Sequence, residues 1–390
     1  MCDTFYLCIW CNMNILSLFD GISCGRLALE RAGIKVDSYF ASEIDKYAIQ
    51  IAKKNYPDAI HIGSVTWVQY KFWRLFYNQE SAKESGWSYP VDIHMIIWGS
   101  PCQDLSIAKK WGQWLQGEKS SLFFEYVRLL KEVKPKYFLL ENVASMKKAD
   151  KEEITRILTE IYPDTQCYLI NSALVSAQNR KRLYWTNIQW VEQPEDKWIL
   201  LKDILEENVD ERFILNSEQI NKMKFIKWAK TFFSWKKEWS IEFPMSLERK
   251  SLTVLTTESG LNRSTNCIRV WQFNSGGQWD RVYSPEWKSV SLSANGGGRG
   301  AKTGLYSIYN QAFHEDKATN LWTNSQCPTA KTGQIVIKPP VIRKLTPIEC
   351  ERLQTLPDWY TEGVSNTQRY KAIWNGWTVD IIAHIFSFIK

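Results

Sequence analysis

The 390-residue chain has no apolar run of the roughly eighteen residues that a membrane-spanning helix needs, so a membrane role is not expected. Its first residues do not show a charged segment followed by a long apolar stretch and a cleavage site, so export is not expected either. Nine cysteines are scattered without a framework spacing, which fits a reducing, cytoplasmic setting. Cys8-Ile9-Trp10-Cys11 has the spacing of a zinc half-site, but no second ligand pair follows, and no metal is expected. There is no acidic or basic tail and no long low-complexity linker. The net charge of +7 is mildly basic; it permits a nucleic-acid partner without proving one.

A chain of this length can bury one large domain and a smaller one. The first half alternates short apolar strands with helical stretches. Strands are expected at Asn14–Phe19, Ser38–Ser42, Ile93–Ile97, Tyr137–Leu140 and Gln166–Ser172. Helices are expected at Gly25–Ala32, Lys46–Asn55, around Leu122–Glu132 and at Glu152–Ile161. This alternation predicts a parallel sheet covered on both faces. The pattern changes near Trp190. Residues 203–250 are mixed and aromatic-rich, and 251–338 hold short strand-like pieces between Gly, Asn and Ser turns. Two loose repeats occur there: Lys250-Ser251-Leu252-Thr253 with Lys288-Ser289-Val290-Ser291, and Ala301-Lys302-Thr303-Gly304 with Ala330-Lys331-Thr332-Gly333. Thr346 and Pro347 then fit the N-cap and first position of a helix, and Thr378–Ile389 forms the last one. The expected domains are 13–189, a smaller one over 190–342, and a return to the first over 343–390. Residues 1–12 read as a non-core extension, consistent with an over-extended start.

Pro101-Cys102-Gln103 follows the strand Ile93–Ile97 through Gly99-Ser100. That places a cysteine at the carboxyl edge of the expected sheet, where α/β enzymes hold ligands. A lone intracellular cysteine is more often a packing residue. Three further segments bear on the choice: Glu141-Asn142-Val143 after an apolar strand, Gln178-Asn179-Arg180-Lys181-Arg182, and Asn375-Gly376-Trp377-Thr378-Val379-Asp380. Together with Leu18-Phe19-Asp20-Gly21-Ile22-Ser23-Cys24-Gly25, in this order and spacing, they resemble the DNA cytosine-C5 methyltransferases of bacteria and phages, from Met13 onward apart from a variable middle region. The resemblance implies an α/β fold, a mostly parallel, doubly wound, Rossmann-like sheet that binds S-adenosylmethionine, with a second, smaller target-recognition domain. It implies a monomer acting on duplex DNA, with a paired restriction endonuclease as a possible functional companion. Three alternatives stay open: an RNA cytosine methyltransferase, an inactive DNA-binding relic, and a nicotinamide-dependent oxidoreductase.

The loop from Phe19 to Gly25 is glycine-bearing and lies between the first strand and first helix, and Glu43 ends the second strand with a carboxylate able to accept from ribose hydroxyls. Gly21-x-x-x-Gly25 lacks the full dinucleotide fingerprint, and S-adenosylmethionine has no phosphate to need it. By resemblance, Phe19 stacks near the adenine, Gly21, Gly25 and Pro101 line the cofactor site, Glu43 holds the ribose and Asn375 lies at the methionine end. A solvated surface acid is the alternative for Glu43. Ser64 stands where the family has an acid near the adenine.

The implied chemistry is nucleophilic catalysis. Cys102 adds to C6 of cytosine, Glu141 with a raised pKa faces N3, and Arg182 donates to O2. Arg180 supports Cys102 or a phosphate, and Gln178 orders the local loop. A surface basic run is the alternative for Arg180–Arg182. The buried base requires extrusion from the duplex. Gly296–Lys302 is the expected DNA-contacting loop, with Arg299 on guanine or phosphate; a hairpin tip is the other reading.

Twenty tryptophans against nineteen glycines is an unusual balance. Trp98 and Trp374 stand where the family pattern has glycine, and Trp114, Trp190, Trp198 and Trp287 are suspected likewise. Trp185 and Trp377 match as tryptophan. UGA is a stop in the standard code, tryptophan in one variant code and glycine in another, so UGA codons read in the wrong code would produce this pattern. An indole at Trp98 or Trp374 is expected to crowd a tight turn.

Overall fold

The computed structural model describes residues 12–77, 87–99, 120–214 and 341–390, with four short strands between 269 and 308. The chain divides into two compact units. The first runs to Ile199 and resumes at Pro347, and the second draws on the interval between.

The first unit is built on a seven-stranded sheet. Its strands are β1 (Met13–Leu18), β2 (Val36–Ser42), β3 (Ile60–His61), β7 (Met95–Gly99), β8 (Tyr137–Val143), β9 (Gln166–Asn171) and β10 (Lys181–Thr186). The order is β3-β2-β1-β7-β8-β10-β9. All neighbours are parallel except β10, which runs antiparallel to both β8 and β9. The order reverses direction at β1, so the loops after β1 and β7 face a topological switch point, where such sheets take ligands. Three further strands, β4 (Gln69–Lys71), β5 (Arg74–Tyr77) and β6 (Trp87–Pro90), form a separate antiparallel meander. Neither this meander nor β10 follows from the simple alternation of strand and helix.

The helices are α1 (Cys24–Arg31), α2 (Lys46–Asn55), α3 (Ser120–Val133), α4 (Lys148–Ile161), α5 (Pro347–Leu353), α6 (Asn366–Asn375) and α7 (Val379–Phe386). Helix α2 starts where Asp45 accepts from the amides of Tyr47 and Ala48, a side-chain cap of the usual kind. One face of the sheet is covered by α3 and α4. Leu16, Leu18, Ile96, Trp98, Phe138, Leu140 and Trp185 form a single apolar cluster with Phe123, Tyr126, Leu130, Ile154 and Leu158. Helix α1 packs with α7, and α2 with α6. Central strand β7 is buried through Met95-Ile96-Ile97-Trp98, the continuous apolar run expected of a parallel strand covered on both faces.

Two expectations are corrected. Trp98 does not crowd a tight turn: it lies within β7, and its indole packs against Phe19, Phe123 and Tyr126 at ring separations of 5.5, 5.9 and 4.7 Å. Trp374 lies in the last turn of α6. By contrast, Trp190 and Trp198 do take backbone conformations with positive φ.

In the second unit, Arg269–Gln272, Arg281–Tyr283, Leu305–Ile308 and Val341–Lys344 form a four-stranded sheet. The Thr346 hydroxyl donates to the Glu206 carboxylate. The repeats around 250–253, 301–304 and 330–333, the CxxC segment, Trp114 and Trp287 lie outside the described residues.

Helices α5 and α6 are joined by a buried ion pair. Arg369 meets Glu351 at 2.8 Å, and Thr361 donates to the same carboxylate from its amide and hydroxyl. Arg369→Met leaves that carboxylate buried without its cation. The expected loss is about 3–5 kcal/mol of unfolding free energy, measured by urea denaturation.

Candidate active site

The loop after β1 is held by one carboxylate. Asp20 accepts from the hydroxyls of Ser17, Ser23 and Tyr39, all at 2.6 Å. Three loop positions, Phe19, Gly21 and Ser23, have φ near +60°, so the chain turns sharply and the Asp20 bonds hold it there. Asp20 is a residue to which the sequence reading gave no role. Its signal was present: a carboxylate between two serines at a strand-to-helix junction. Burial and the adjacent Asp20 together push the Tyr39 hydroxyl well above the usual phenol range.

Glu43 follows β2 and turns back to this loop. One carboxylate oxygen accepts from the Gly21 amide at 2.8 Å, and the other from the amides of Ile44 and Asp45 at 2.7 and 2.8 Å. It is therefore not a solvated surface acid. Burial raises its pKa, partly offset by these amides. The Asp20, Gly21 and Ser23 amides are bonded to Ser42, Glu43 and Asp20, respectively. These are amides a phosphate would require, so the loop is a poor phosphate cradle. Above Gly21 a Cβ would meet nothing within 4 Å, so the loop's outer side is open. A ribose-bearing cofactor without phosphate fits this donor set. Ser64 caps a short 3₁₀ turn, accepting from the Thr66 amide, and brings no charge.

Trp377 connects the C-terminal return to the sheet. A Cβ on Gly99 would lie 2.6 Å from the indole nitrogen of Trp377. One on Gly25 would lie 2.3 Å from Ile97 Cδ1 and 3.3 Å from Trp377. Gly376 comes close to Cys24 Sγ in the same way, at 3.1 Å from its own virtual Cβ. Three segments far apart in sequence thus meet through absent side chains. Asn375 ends α6 just before this contact and is exposed.

Glu141 does not terminate its strand: β8 continues to Val143, and Glu141 is nine-tenths buried within it. In register it lies beside Gly99, the last residue of β7. Arg182 on β10 pairs with Val143, which puts it diagonally across from Glu141, and Arg182 Nε meets Glu141 Oε1 at 2.8 Å. Arg180 is buried. Its guanidinium donates to the carbonyls of Trp374 and Gly376 at 3.4 and 3.3 Å, which supports the Asn375 turn; a guanidinium so enclosed does not suit a DNA phosphate. This run is therefore not a surface basic patch. Gln178 is fully buried, and both ends of its amide lack a hydrogen-bond partner among the described residues. Cys102, Pro101 and Arg299 lie outside the described residues.

The sheet order and the strand-end loop with its carboxylate define a Rossmann-like α/β fold, with the Glu141–Arg182 pair at the carboxyl edge of its sheet. The Entamoeba histolytica methyltransferase EhMeth shares the fold with a TM-score of 0.59, 14% identity and 97% of each chain covered. The S. pombe Dnmt2 methyltransferase does so with a TM-score of 0.56, 15% identity, and 96% and 97% covered. The chain belongs to the C-5 cytosine-specific DNA methylase family, which it matches over residues 13–390. Among similar proteins, the orphan methyltransferase M.SPRI of Bacillus phage SPR is 24% identical, with 96% of this chain and 97% of that one aligned. The type II methyltransferase M.HhaI of Haemophilus parahaemolyticus is also 24% identical, with 96% and 93% aligned. Family membership makes this a methyltransferase of the S-adenosylmethionine-dependent, cytosine-C5 class acting on DNA. No helix among the described residues is long and apolar enough to cross a membrane.

Two outcomes follow from this geometry. Asp20→Ala strands three hydroxyl donors; a loss of about 3 kcal/mol is expected in urea denaturation, with weakened cofactor binding by calorimetry. Burial pushes the Cys24 thiol up to about 12, so at pH 8 it is almost entirely protonated. Mass spectrometry after brief iodoacetamide treatment of the native protein should find Cys24 unmodified, with modification only on unfolding.

Proposed function

We propose that the protein transfers a methyl group from S-adenosylmethionine to C5 of a cytosine flipped out of a specific duplex DNA sequence, through a covalent Cys102–C6 adduct. The observation that carries this reading is the register of β7 and β8. Glu141 lies beside Gly99, three residues before Cys102, and Arg182 reaches it from the next strand. A pyrimidine brought to this edge meets the Glu141 carboxyl group and the Arg182 guanidinium from neighbouring strands, and Cys102 follows β7 by three residues in the sequence.

The Cys102 thiolate forms the Sγ–C6 bond, and negative charge develops along N3 and O2. As the base enters, Arg182 turns from Glu141 to O2, and Glu141 takes up a proton from solvent and donates it in a hydrogen bond to N3. The electron-rich C5 takes the methyl group; bound S-adenosylmethionine would supply it as an electrophilic sulfonium methyl, the S–CH3 bond breaking with its electron pair left on sulfur, so that S-adenosylhomocysteine is the leaving group. A base then removes the C5 proton and the Sγ–C6 bond breaks, releasing the thiolate. Phe19, Gly21, Gly25, Glu43, Pro101 and Asn375 hold the cofactor. Glu43 is already set against the Gly21 amide and retains lone pairs for ribose hydroxyls. Arg180 is a positioning residue for the Asn375 turn, and Gln178 orders its loop. Residues 13–189 and 343–390 form the catalytic domain, and 190–342 recognise the target, with Arg299 at the DNA. The chain acts as a monomer in the cytoplasm of a bacterial or phage-infected cell, protecting DNA alongside a restriction endonuclease where one is present.

Incubation with methyl-labelled S-adenosylmethionine and duplex DNA is expected to label the DNA. Cys102→Ala should remove the label, and Glu141→Gln should lower the rate by about 10²–10⁴-fold. DNA with 5-fluorocytosine at the target should trap the protein covalently, because C5 then has no proton to lose. Label on RNA alone, or label retained by Cys102→Ala, overturns the proposal.

A further inference from the structure

Nine non-glycine residues among those described have positive φ, and four of them are tryptophan: Trp73, Trp190, Trp198 and Trp359, at +57°, +65°, +54° and +65°. The other five are two phenylalanines, a serine, a lysine and a threonine. Tryptophan supplies only 20 of the 390 residues. Where side-chain-bearing residues enter this region, asparagine and aspartate are the enriched types, because a Cβ there crowds the backbone and a short polar side chain offers local hydrogen bonds. A bulky indole offers neither.

Burial does not compensate. The four tryptophans are 70, 78, 76 and 54% exposed, so their rings gain little from packing. Only Trp359 has a ring contact of note, with the Arg369 guanidinium 5.9 Å from its centroid. Trp73 is the most specific case. Lys71 and Arg74 are paired across the β4–β5 hairpin, and Phe72 and Trp73 both have positive φ between them. That is a type I′ turn, whose second position is the one glycine fills most often. Trp198 follows Asp196, whose side chain accepts from the Trp198 amide, a local aspartate turn. Trp359 lies in the Pro357-Asp358-Trp359-Tyr360 turn, closed by the Tyr360 amide on the Pro357 carbonyl.

Trp185 and Trp377 are the opposite kind. Trp185 is fully buried, and its indole nitrogen donates to the Thr155 hydroxyl at 2.8 Å. Trp377 is buried over Gly99 and Gly25. These six tryptophans therefore fall into two classes: two are buried and packed, and four are exposed in left-handed backbone conformations that favour glycine.

We infer that positions 73, 190, 198 and 359 are glycine in the protein made by its native host, encoded by UGA codons that this host reads as glycine. The inference rests on backbone conformation and exposure alone, so it stands or falls separately from the methyl-transfer reaction. The gene is expected to carry UGA at these four positions and UGG at Trp185 and Trp377; UGG at the four overturns the inference. At the protein level, the W73G/W190G/W198G/W359G variant is compared with the tryptophan chain by thermal unfolding, with W185G as control. Relief of four left-handed side chains should raise the midpoint by several degrees in total, while W185G lowers it. A four-glycine variant that melts at or below the tryptophan chain overturns the inference.

Discussion

The candidate site depends on the approach of Trp377 to the sheet. Its indole occupies the space that side chains on Gly25 and Gly99 would fill, so the C-terminal return lies directly over the loop after β1 and the end of β7. The contact is close because two glycines make it so, and the ring is too rigid to yield to an added methyl group. Without it, Asn375 would not lie near the first loop, and Arg180 would lose the Trp374 and Gly376 carbonyls that account for its buried charge. A unit assembled from the two ends of the sequence needs such a fastening. It is complemented by the Ser172–Thr378–Gln354 hydrogen-bond chain, which ties the segment after β9 to the same C-terminal turn.

The polar groups of the site are of two kinds. Asp20 is turned inward: three hydroxyls donate to it and hold a strained loop. Glu141 and Arg182 are mostly buried but paired chiefly with each other, which leaves lone pairs and N–H groups for a third participant. A buried pair is rarely worth its desolvation cost as a source of stability, so its retention at a strand edge is better explained by what it meets there.

Much of the sheet was legible. Lys46–Asn55 shows the same helix in sequence and structure, because an aspartate cap and a helical apolar spacing agree. Strands β1, β2, β7, β8 and β9 fall within a few residues of their expected limits; the central ones are buried and read as short apolar runs. Strand β10 was not legible as a strand: its first residues, Lys181 and Arg182, are charged, and its place between β8 and β9 is a tertiary choice. The meander at 69–90 was hidden because its turn is Phe72-Trp73, a pair that carries no turn signal. From the sequence, Glu141 is expected to end its strand, as a carboxylate after an apolar run usually does. Here β8 continues because Arg182 on the neighbouring strand compensates the charge. Trp98 was read as an obstruction in a turn, but local sequence does not reveal that Phe19, Phe123 and Tyr126 form an aromatic pocket around it.

The segment Gln178-Asn179-Arg180-Lys181-Arg182 brings polar side chains of very different surroundings into one short stretch. Gln178 and Arg180 are 0 and 5% exposed, and the Arg182 side chain 13%. Gln178 is the deepest and carries an amide with no partner among the described residues. An uncompensated buried amide costs more than a hydrogen bond gains, so it marks a place where another group completes the structure. Arg180 is occupied by backbone carbonyls, and Arg182 by a carboxylate it can share. Arg180 is thus fixed by the backbone of the C-terminal turn, whereas Arg182 is held chiefly by one carboxylate. In the proposed reaction that difference matters, because Arg182 has to exchange Glu141 for the base while Arg180 keeps the Asn375 turn in place.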